Sequence, residues 1–160
     1  MILVLFSFLV LASFQDDVEK LLDTGYAYYD EGLYSEAIQE YDKAIKIQSD
    51  NPEIYFLRGI SHHGLENVRM AVEDLEKAIQ LNPDYLEAHQ ELGYIYLVGQ
   101  APKDAIAAFD KALILDPTAA EIYVNRGTAK CMLDNATGAR KDWDKAMALG
   151  VSYSEFMVCD

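Results

Sequence analysis

The chain repeats itself every 34 residues, and this period constrains its fold more than any other feature. Residues 76–84 read EKAIQLNPD and residues 110–118 read DKALILDPT, so the same kinds of side chain return in the same order. The register continues without a gap through four copies, at 18–51, 52–85, 86–119 and 120–153. A fixed period of about 20–50 residues is typical of repeat architectures, so the chain is predicted to stack one small unit.

Five positions keep one kind of side chain in every copy: a glycine, two alanines, a large apolar or aromatic residue and an aliphatic residue. The columns are Gly25, Gly59, Gly93, Gly127; Ala37, Ala71, Ala105, Ala139; Ala44, Ala78, Ala112, Ala146; Tyr41, Leu75, Phe109, Trp143; and Ile47, Leu81, Leu115, Leu149. Two stretches of about 13 residues in each copy have the apolar spacing of amphipathic helices. Each copy therefore predicts a helical hairpin, in which glycine and alanine allow close approach and the large residue fills the space beside them.

Prolines mark where the hairpins end. Pro83 and Pro117 come directly after Asn82 and Asp116, at the end of the second apolar stretch of their copies. Proline cannot continue a helix, so these residues predict the turn into the next hairpin. The sequence thus predicts an all-α solenoid with an extended surface and no closed catalytic pocket.

The four copies resemble the tetratricopeptide repeat, a helix–turn–helix unit of the same length. The third copy is the closest match, with LGYIY at 92–96, Ala105, Phe109, Ala112 and Asp-Pro at 116–117. The other copies depart at Ser49 and Pro52, at His62 and Lys130 where an aromatic is usual, and at Gly150-Val151. The resemblance covers residues 18–153 and implies a right-handed superhelix whose first helices line a concave groove for peptides or proteins.

Helical phase predicts which side chains line that groove. On the first helix of each copy, the face turned away from the second helix is mostly aromatic and apolar. Its residues are Leu22, Tyr26, Tyr29, Phe56, Ile60, His63, Gln90, Tyr94, Leu97, Val98, Val124 and Thr128. The alternative is that some of them, including Tyr26, Phe56 and Tyr94, pack between neighbouring hairpins.

Charge restricts the partner. The chain has 13 Lys and Arg against 27 Asp and Glu, a formal net charge of −14, which repels a nucleic-acid backbone. We expect a protein or peptide segment with apolar or aromatic residues, and with basic residues that meet the acidic rim. The rim residues are Glu19, Asp30, Glu53, Glu87 and Glu121. Related proteins that grip acidic chaperone tails use a clamp of basic and amide side chains, but Leu22 and Tyr26 replace its first Lys and Asn, so we do not expect that activity.

Candidates for chemistry are few. His62, His63 and His89 lie in different helical phases, and no acidic or cysteine ligand motif completes a metal site around them. The chain also lacks a GxSxG motif, a glycine-rich phosphate loop and a Cys-His-Asn set. We therefore predict no metal, no cofactor and no enzymatic activity.

The first fourteen residues, MILVLFSFLVLASF, carry no charge and lie outside the repeat. A helix of that length spans about 21 Å, short of the roughly 30 Å of a bilayer core, so it predicts a signal peptide with Val10 and Ala12 before the cleavage point and residues 15–17 as a linker. No Lys or Arg lies near Met1, which departs from the usual signal. An exported protein is expected; the alternative is a retained apolar segment, covering the end of the solenoid or serving as an anchor, on a cytoplasmic or membrane-associated protein.

The C-terminal end offers only a short tail or partial capping helix at 154–160. Cys131 and Cys159 would form a disulfide in an exported protein if this tail folds back, but we expect two free, largely buried thiols. A poorly covered end also suggests homo-oligomers. Three functions stay open: an interaction module or scaffold, a self-associating structural protein, and a non-catalytic accessory subunit of an enzyme complex.

Overall fold

The computed structural model describes residues 2–152 and Cys159, with side chains given for 16–152 and Cys159. This part of the chain contains eight helices and no strand. They are α1 (Ile2–Asp30), α2 (Tyr34–Ile47), α3 (Pro52–Gly64), α4 (Val68–Leu81), α5 (Leu86–Val98), α6 (Pro102–Leu115), α7 (Ala120–Cys131) and α8 (Ala136–Ala148). Consecutive helices pair as hairpins, which confirms the predicted all-α repeat architecture.

Helix α1 is longer than the others because it extends the first repeat towards the N-terminus. It runs through residues 15–17 without a break, so the expected linker is helical instead. The physical reason is local: Gln15, Asp16 and Asp17 include neither glycine nor proline, and nothing there stops a helix. Among the described helices, none combines the length and apolarity needed to cross a bilayer.

The turn inside each hairpin has a left-handed residue at the same position of the repeat. Gly32, Glu66, Gln100 and Asp134 have φ angles of 76°, 59°, 57° and 57°, and they are spaced by the repeat length. In the second hairpin, the backbone N–H of Asn67 donates to the carbonyl oxygen of His62 at 2.9 Å, and the same bond closes the other three turns. This is the hydrogen-bond pattern of a Schellman motif, which satisfies the last carbonyls of the helix.

Helix boundaries at the other turns follow the prolines and asparagines. Helices α3 and α6 begin at Pro52 and Pro102, where the missing N–H has no helical partner to lose. The Asn51 side chain caps α3 by accepting a hydrogen bond from the backbone N–H of Glu53 at 2.9 Å. Helices α4 and α6 end before Pro83 and Pro117, as the sequence predicts.

The chain forms two compact units, Met1–Pro83 and Asp84–Asp160, with two hairpins in each. In the first unit a buried cluster joins α1, α2 and α3: it consists of Val18, Ala37, Tyr41, Ala44 and Ile54. In the second unit a buried cluster joins α5, α6 and α7 in the same way: it consists of Ala105, Phe109, Ala112, Leu113, Ile122 and Ala129, with Leu97 packed against it.

The glycine column packs directly against the large residues. A Cβ atom added at Gly25 would lie 2.5 Å from Cε1 of Tyr41, a distance at which something must shift. Gly93 faces Phe109 and Gly127 faces Trp143 in the same way. The sequence predicted a glycine–alanine approach with the large residue beside it; in three of the copies the ring itself occupies the space above the glycine.

A disulfide bond joins Cys131, the last residue of α7, to Cys159 in the tail. The Cα atoms are 5.5 Å apart, within the usual range for a disulfide. Cys131, Cys159 and Val151 all pack against Ala139 and Trp143 of α8. The expectation of two free thiols is therefore wrong, because the apolar end of the last hairpin draws the tail back. Residues 153–158 lie outside the described residues, so a capping helix over 154–160 stays a prediction.

Candidate functional site

The first-helix face of the first unit lies on α1 and α3. Leu22 and Tyr29 are half-buried and pack against the Tyr41 cluster, whereas 52% of Tyr26 is exposed. The Tyr29 ring meets the Tyr34 ring edge-on, with centroids 5.4 Å apart, which holds it at the end of the face. The remaining predicted residues of this unit are half-buried: Phe56, Ile60 and His63.

The first-helix face of the second unit lies on α5 and α7. Tyr94 is 43% exposed and Val98 62% exposed, whereas Gln90 and Leu97 are half-buried. On α7, Val124 packs against the Trp143 cluster. Thr128, one turn further on, donates its hydroxyl hydrogen to the Val124 carbonyl oxygen at 3.1 Å.

None of the twelve predicted face residues is fully buried. Tyr26, Tyr94 and Val98 are exposed, and the other nine divide their surface between the core and the outside. The two tyrosines occupy the same position in the first hairpin of each unit, 68 residues apart. Their role in binding stays a prediction, but their exposure fits a contact surface better than a packing role between hairpins.

An acidic cleft of about 350 Å³ opens beside Leu22 in the first unit. Its charged wall consists of Glu19 and Asp23 on α1 and Glu53 at the start of α3. Val18 and Leu22 supply apolar surface, and the amide side chains of Gln48 and Asn51 complete the lining. No lysine or arginine lines it, so the cleft has the electrostatics of a cation site.

Arg58 on α3 ties three helices of the first unit together. It donates two hydrogen bonds to the Asp74 carboxylate on α4, from Nε to Oδ2 at 2.8 Å and from Nη2 to Oδ1 at 2.6 Å. Its third bond, from Nη1, reaches Oδ1 of Asp42 on α2 at 2.6 Å. The hydrogen bonds to Asp74, opposed by burial and helped by Asp42, raise the pKa of Arg58. The guanidinium also lies 5.7 Å from the Tyr55 ring centroid, so it is fixed from several sides.

The second unit repeats this arrangement 68 residues later. Arg126 on α7 donates to both carboxylate oxygens of Asp142 on α8, at 2.8 and 2.7 Å, and to Oδ1 of Asp110 on α6 at 2.5 Å. Each arginine thus holds the first helix of its hairpin, and so the face that this helix presents. Sequence analysis missed both clusters because the partners lie 16 residues away on either side. The double-repeat spacing of Arg58 and Arg126 was the available signal.

His62 and Lys130 occupy equivalent positions next to these clusters. Lys130 forms an ion pair with Oδ2 of Asp142 at 2.7 Å, whereas Nε2 of His62 stays 3.9 Å from Oδ2 of Asp74. Burial lowers the pKa of His62 and outweighs the attraction of Asp74, which acts to raise it. Burial also acts to raise the pKa of Asp142, but hydrogen bonds from Arg126 and Lys130 hold it below its usual value. Among residues with described side chains, no group of three His, Cys, Asp or Glu could hold a metal ion.

Two family models match the chain. Residues 25–65 match a TPR repeat model, and residues 56–120 match a tetratricopeptide repeat model. No curated protein sequence matches the chain significantly. The matched residues extend over α3 and α4 entirely and over most of the helices next to them, which are the elements that carry the first-helix faces.

Solved structures share the fold. A crystal structure of MamA is 28% identical, with a TM-score of 0.80 over 88% of this chain and 82% of that chain. A crystal structure of YrrB, described as a TPR protein with an unusual peptide-binding site, is 25% identical, with a TM-score of 0.71 over 79% of this chain and 65% of that chain. The first TPR of Spaghetti (RPAP3), bound to the HSP90 peptide SRMEEVD, is 24% identical, with a TM-score of 0.72 over 74% of this chain and 94% of that chain; this likeness shows the fold alone.

Proposed function

Because this chain is a tetratricopeptide-repeat protein, we propose that it is a non-catalytic interaction module that holds an extended segment of a partner protein against its first-helix faces. The observation that carries the proposal is the exposure of Tyr26 and Tyr94, 52% and 43%, at equivalent positions of the two units. Exposed tyrosines are enriched in protein interfaces because they offer a large apolar surface and a hydroxyl at a low cost in conformational entropy.

The surroundings of these tyrosines support a binding role. Leu22 and Tyr29 pack into the core on either side of Tyr26, so a partner would meet a preformed surface. Arg58 and Arg126 stiffen α3 and α7 in the same two units. A rigid face loses little entropy on binding, which favours affinity. The peptide-binding site of YrrB adds support from a protein of the same fold.

The partner segment that this surface suits is apolar or aromatic and carries basic residues. The first-helix faces are mostly apolar, and the chain has a net charge of −14 that would attract a basic partner and speed its association. Nucleic acid and the acidic tails of chaperones would be repelled. A partner with alternating apolar and basic residues would match both the tyrosines and the rim.

The test is affinity capture with the full chain and two double variants. Tyr26→Glu/Tyr94→Glu places two carboxylates on the first-helix faces and should abolish capture of the specific partner. Val68→Glu/Ile114→Glu is the matched control: both residues are exposed, one lies in each unit, both belong to second helices, and the charge change is the same. The proposal predicts a protein that the wild type and the control retain and the tyrosine variant loses. Equal capture by all three proteins, or by none, would contradict it.

We also propose that the protein is exported. The uncharged segment at 1–14 motivates this, and the Cys131–Cys159 disulfide supports it because disulfides persist mainly in oxidising compartments. The mature N-terminus, sequenced from protein produced in a secreting host, should lie just after Ala12. Recovery of a chain that starts at Met1 and carries two alkylatable thiols would contradict export.

A further inference from the structure

We infer that the acidic cleft of the first unit is a pocket for an arginine side chain of the partner segment, an inference that rests on the proposed function. The cleft shares Leu22 with the first-helix face, so a segment bound along that face would pass its mouth. Its volume of about 350 Å³ lies at the lower end of the about 300–1,000 Å³ usual for ligand sites. It therefore suits one or two side chains rather than a large cofactor.

Charge favours a cation there. Within the described residues, Glu19, Asp23 and Glu53 form no ion pair, in contrast to Asp42 and Asp74, which share Arg58. The N-terminus of α3 opposes a cation with about half a positive charge. Three carboxylates outweigh that half charge, so the cleft keeps a strongly negative potential in the free protein.

The helix carries these carboxylates at a cost. Glu19 and Asp23 are one turn apart on α1, where like charges repel and destabilise a helix. A bound cation would relieve that repulsion. The arrangement disfavours the free protein and favours the complex, as expected of a binding site and not of a merely solvated helix surface.

Shape and chemistry favour arginine over other cations. Val18 and Leu22 offer apolar surface for the methylene stem, and the three carboxylates and the oxygen of Gln48 are acceptors for its five N–H donors. A planar guanidinium can pair with a carboxylate through two hydrogen bonds, as Arg58 does with Asp74 in this unit.

An unsatisfied hydroxyl behind the cleft is an independent sign of a missing polar group. Tyr41 is fully buried, and its hydroxyl has no hydrogen-bond partner within the described structure. The tyrosine shares a buried cluster with Val18, and Glu53 is close enough to help raise its pKa, although burial is the main cause. Both residues belong to the cleft wall, so a guanidinium that reaches past Glu53 would offer this oxygen the hydrogen bond that it lacks.

The experiment is an NMR titration of the ¹⁵N-labelled full chain with acetyl-Leu-Arg-amide and with acetyl-Leu-citrulline-amide, in which the urea group has the shape of the guanidinium without its charge. The arginine probe should shift the backbone amides of Glu19, Asp23 and Glu53 and saturate. The citrulline probe should bind at least about tenfold more weakly, as should arginine to Glu19→Gln/Asp23→Asn/Glu53→Gln. The control Glu31→Gln/Glu36→Gln/Glu66→Gln removes the same charge from exposed sites of the same unit and should keep the wild-type affinity.

Two results would overturn the inference: equal shifts with both probes, or an equal loss of arginine binding in the two triple variants. Misfolding cannot produce the expected loss unnoticed, because relief of the Glu19–Asp23 repulsion predicts a urea midpoint for the cleft variant no lower than that of the control. The proposed function fails separately. A partner captured through Tyr26 and Tyr94, with no arginine binding in the cleft, would leave the function standing and refute the pocket.

Discussion

Arg58 and Asp74 form a two-bond pair, Nε to Oδ2 at 2.8 Å and Nη2 to Oδ1 at 2.6 Å, across the second hairpin. Only 6% of the Asp74 side chain and 19% of the Arg58 side chain are exposed. Loss of the arginine would leave a buried carboxylate without a cation, which typically costs about 3–5 kcal/mol. The pair therefore fixes α3 against α4 and, through Asp42, against α2.

Arg58→Ala should lower the free energy of unfolding by about 3 kcal/mol, measured by urea denaturation. Arg69→Ala is the control, because Arg69 is 81% exposed and pairs only with Glu73, one turn away on α4, so its loss should cost less than about 0.5 kcal/mol. The double variant Arg58→Ala/Asp74→Ala should recover part of the loss, since no buried charge remains unpaired. Similar effects of Arg58→Ala and Arg69→Ala would show that the pair contributes little.

Acid should destabilise the protein through His62. Burial lowers the folded-state pKa below the ordinary value of 6.5, so the unfolded chain takes up the proton first as pH falls. Stability should therefore decrease as pH drops through 6.5 and level off below the folded-state pKa. His62→Gln should flatten this dependence in urea midpoints taken between pH 7.5 and 5. Lys130→Gln, at the equivalent position of the second unit, should lower the midpoint at every pH in this range and leave the slope unchanged.

Gln100→Gly should stabilise the protein. Gln100 has a φ of 57°, which costs a residue with a Cβ about 1–2 kcal/mol, while the added freedom of glycine in the unfolded chain returns about 0.5–1 kcal/mol. We expect a net gain of about 0.5–1 kcal/mol in thermal or urea unfolding. Ala107→Gly, at an exposed position inside α6, should have the opposite sign. A decrease for Gln100→Gly would contradict the helix-ending role of this position.

Ala105→Leu should destabilise the third hairpin. Ala105 has no exposed surface and belongs to the same buried cluster as Phe109, so three added carbon atoms must displace neighbours, at a cost of about 1–3 kcal/mol. Ala107→Leu adds the same atoms at an exposed position of the same helix and should change the unfolding free energy by less than about 0.5 kcal/mol. An unchanged midpoint for Ala105→Leu would mean that the repeat register is misplaced.

The hairpins were predictable because one constraint recurs four times. Each glycine must face a large ring or side chain on the next helix, and each alanine must lie in a buried contact, so the columns are visible in the sequence. The left-handed positions were not, because only Gly32 shows a glycine there, whereas Glu66, Gln100 and Asp134 accept the strain. The hydrogen bonds of the turn, which no residue type announces, hold them in place.

Side-chain pairs between helices were harder to predict than the helices. Asp42 and Asp74 read as surface acids, and their contact with Arg58 depends on three helices meeting. The disulfide likewise depends on where the tail returns, which spacing alone does not give. The acidic rim was predicted, but the cleft that joins Glu19, Asp23 and Glu53 required the positions of α1 and α3.

The most direct test of the central claim is the affinity of one captured partner segment, synthesised as a peptide and titrated by calorimetry into three proteins. The account predicts that Tyr26→Glu/Tyr94→Glu binds it at least about tenfold more weakly than the wild type, whereas Val68→Glu/Ile114→Glu binds it equally well. Equal dissociation constants for the wild type and the tyrosine variant would show that the first-helix faces are not the binding surface.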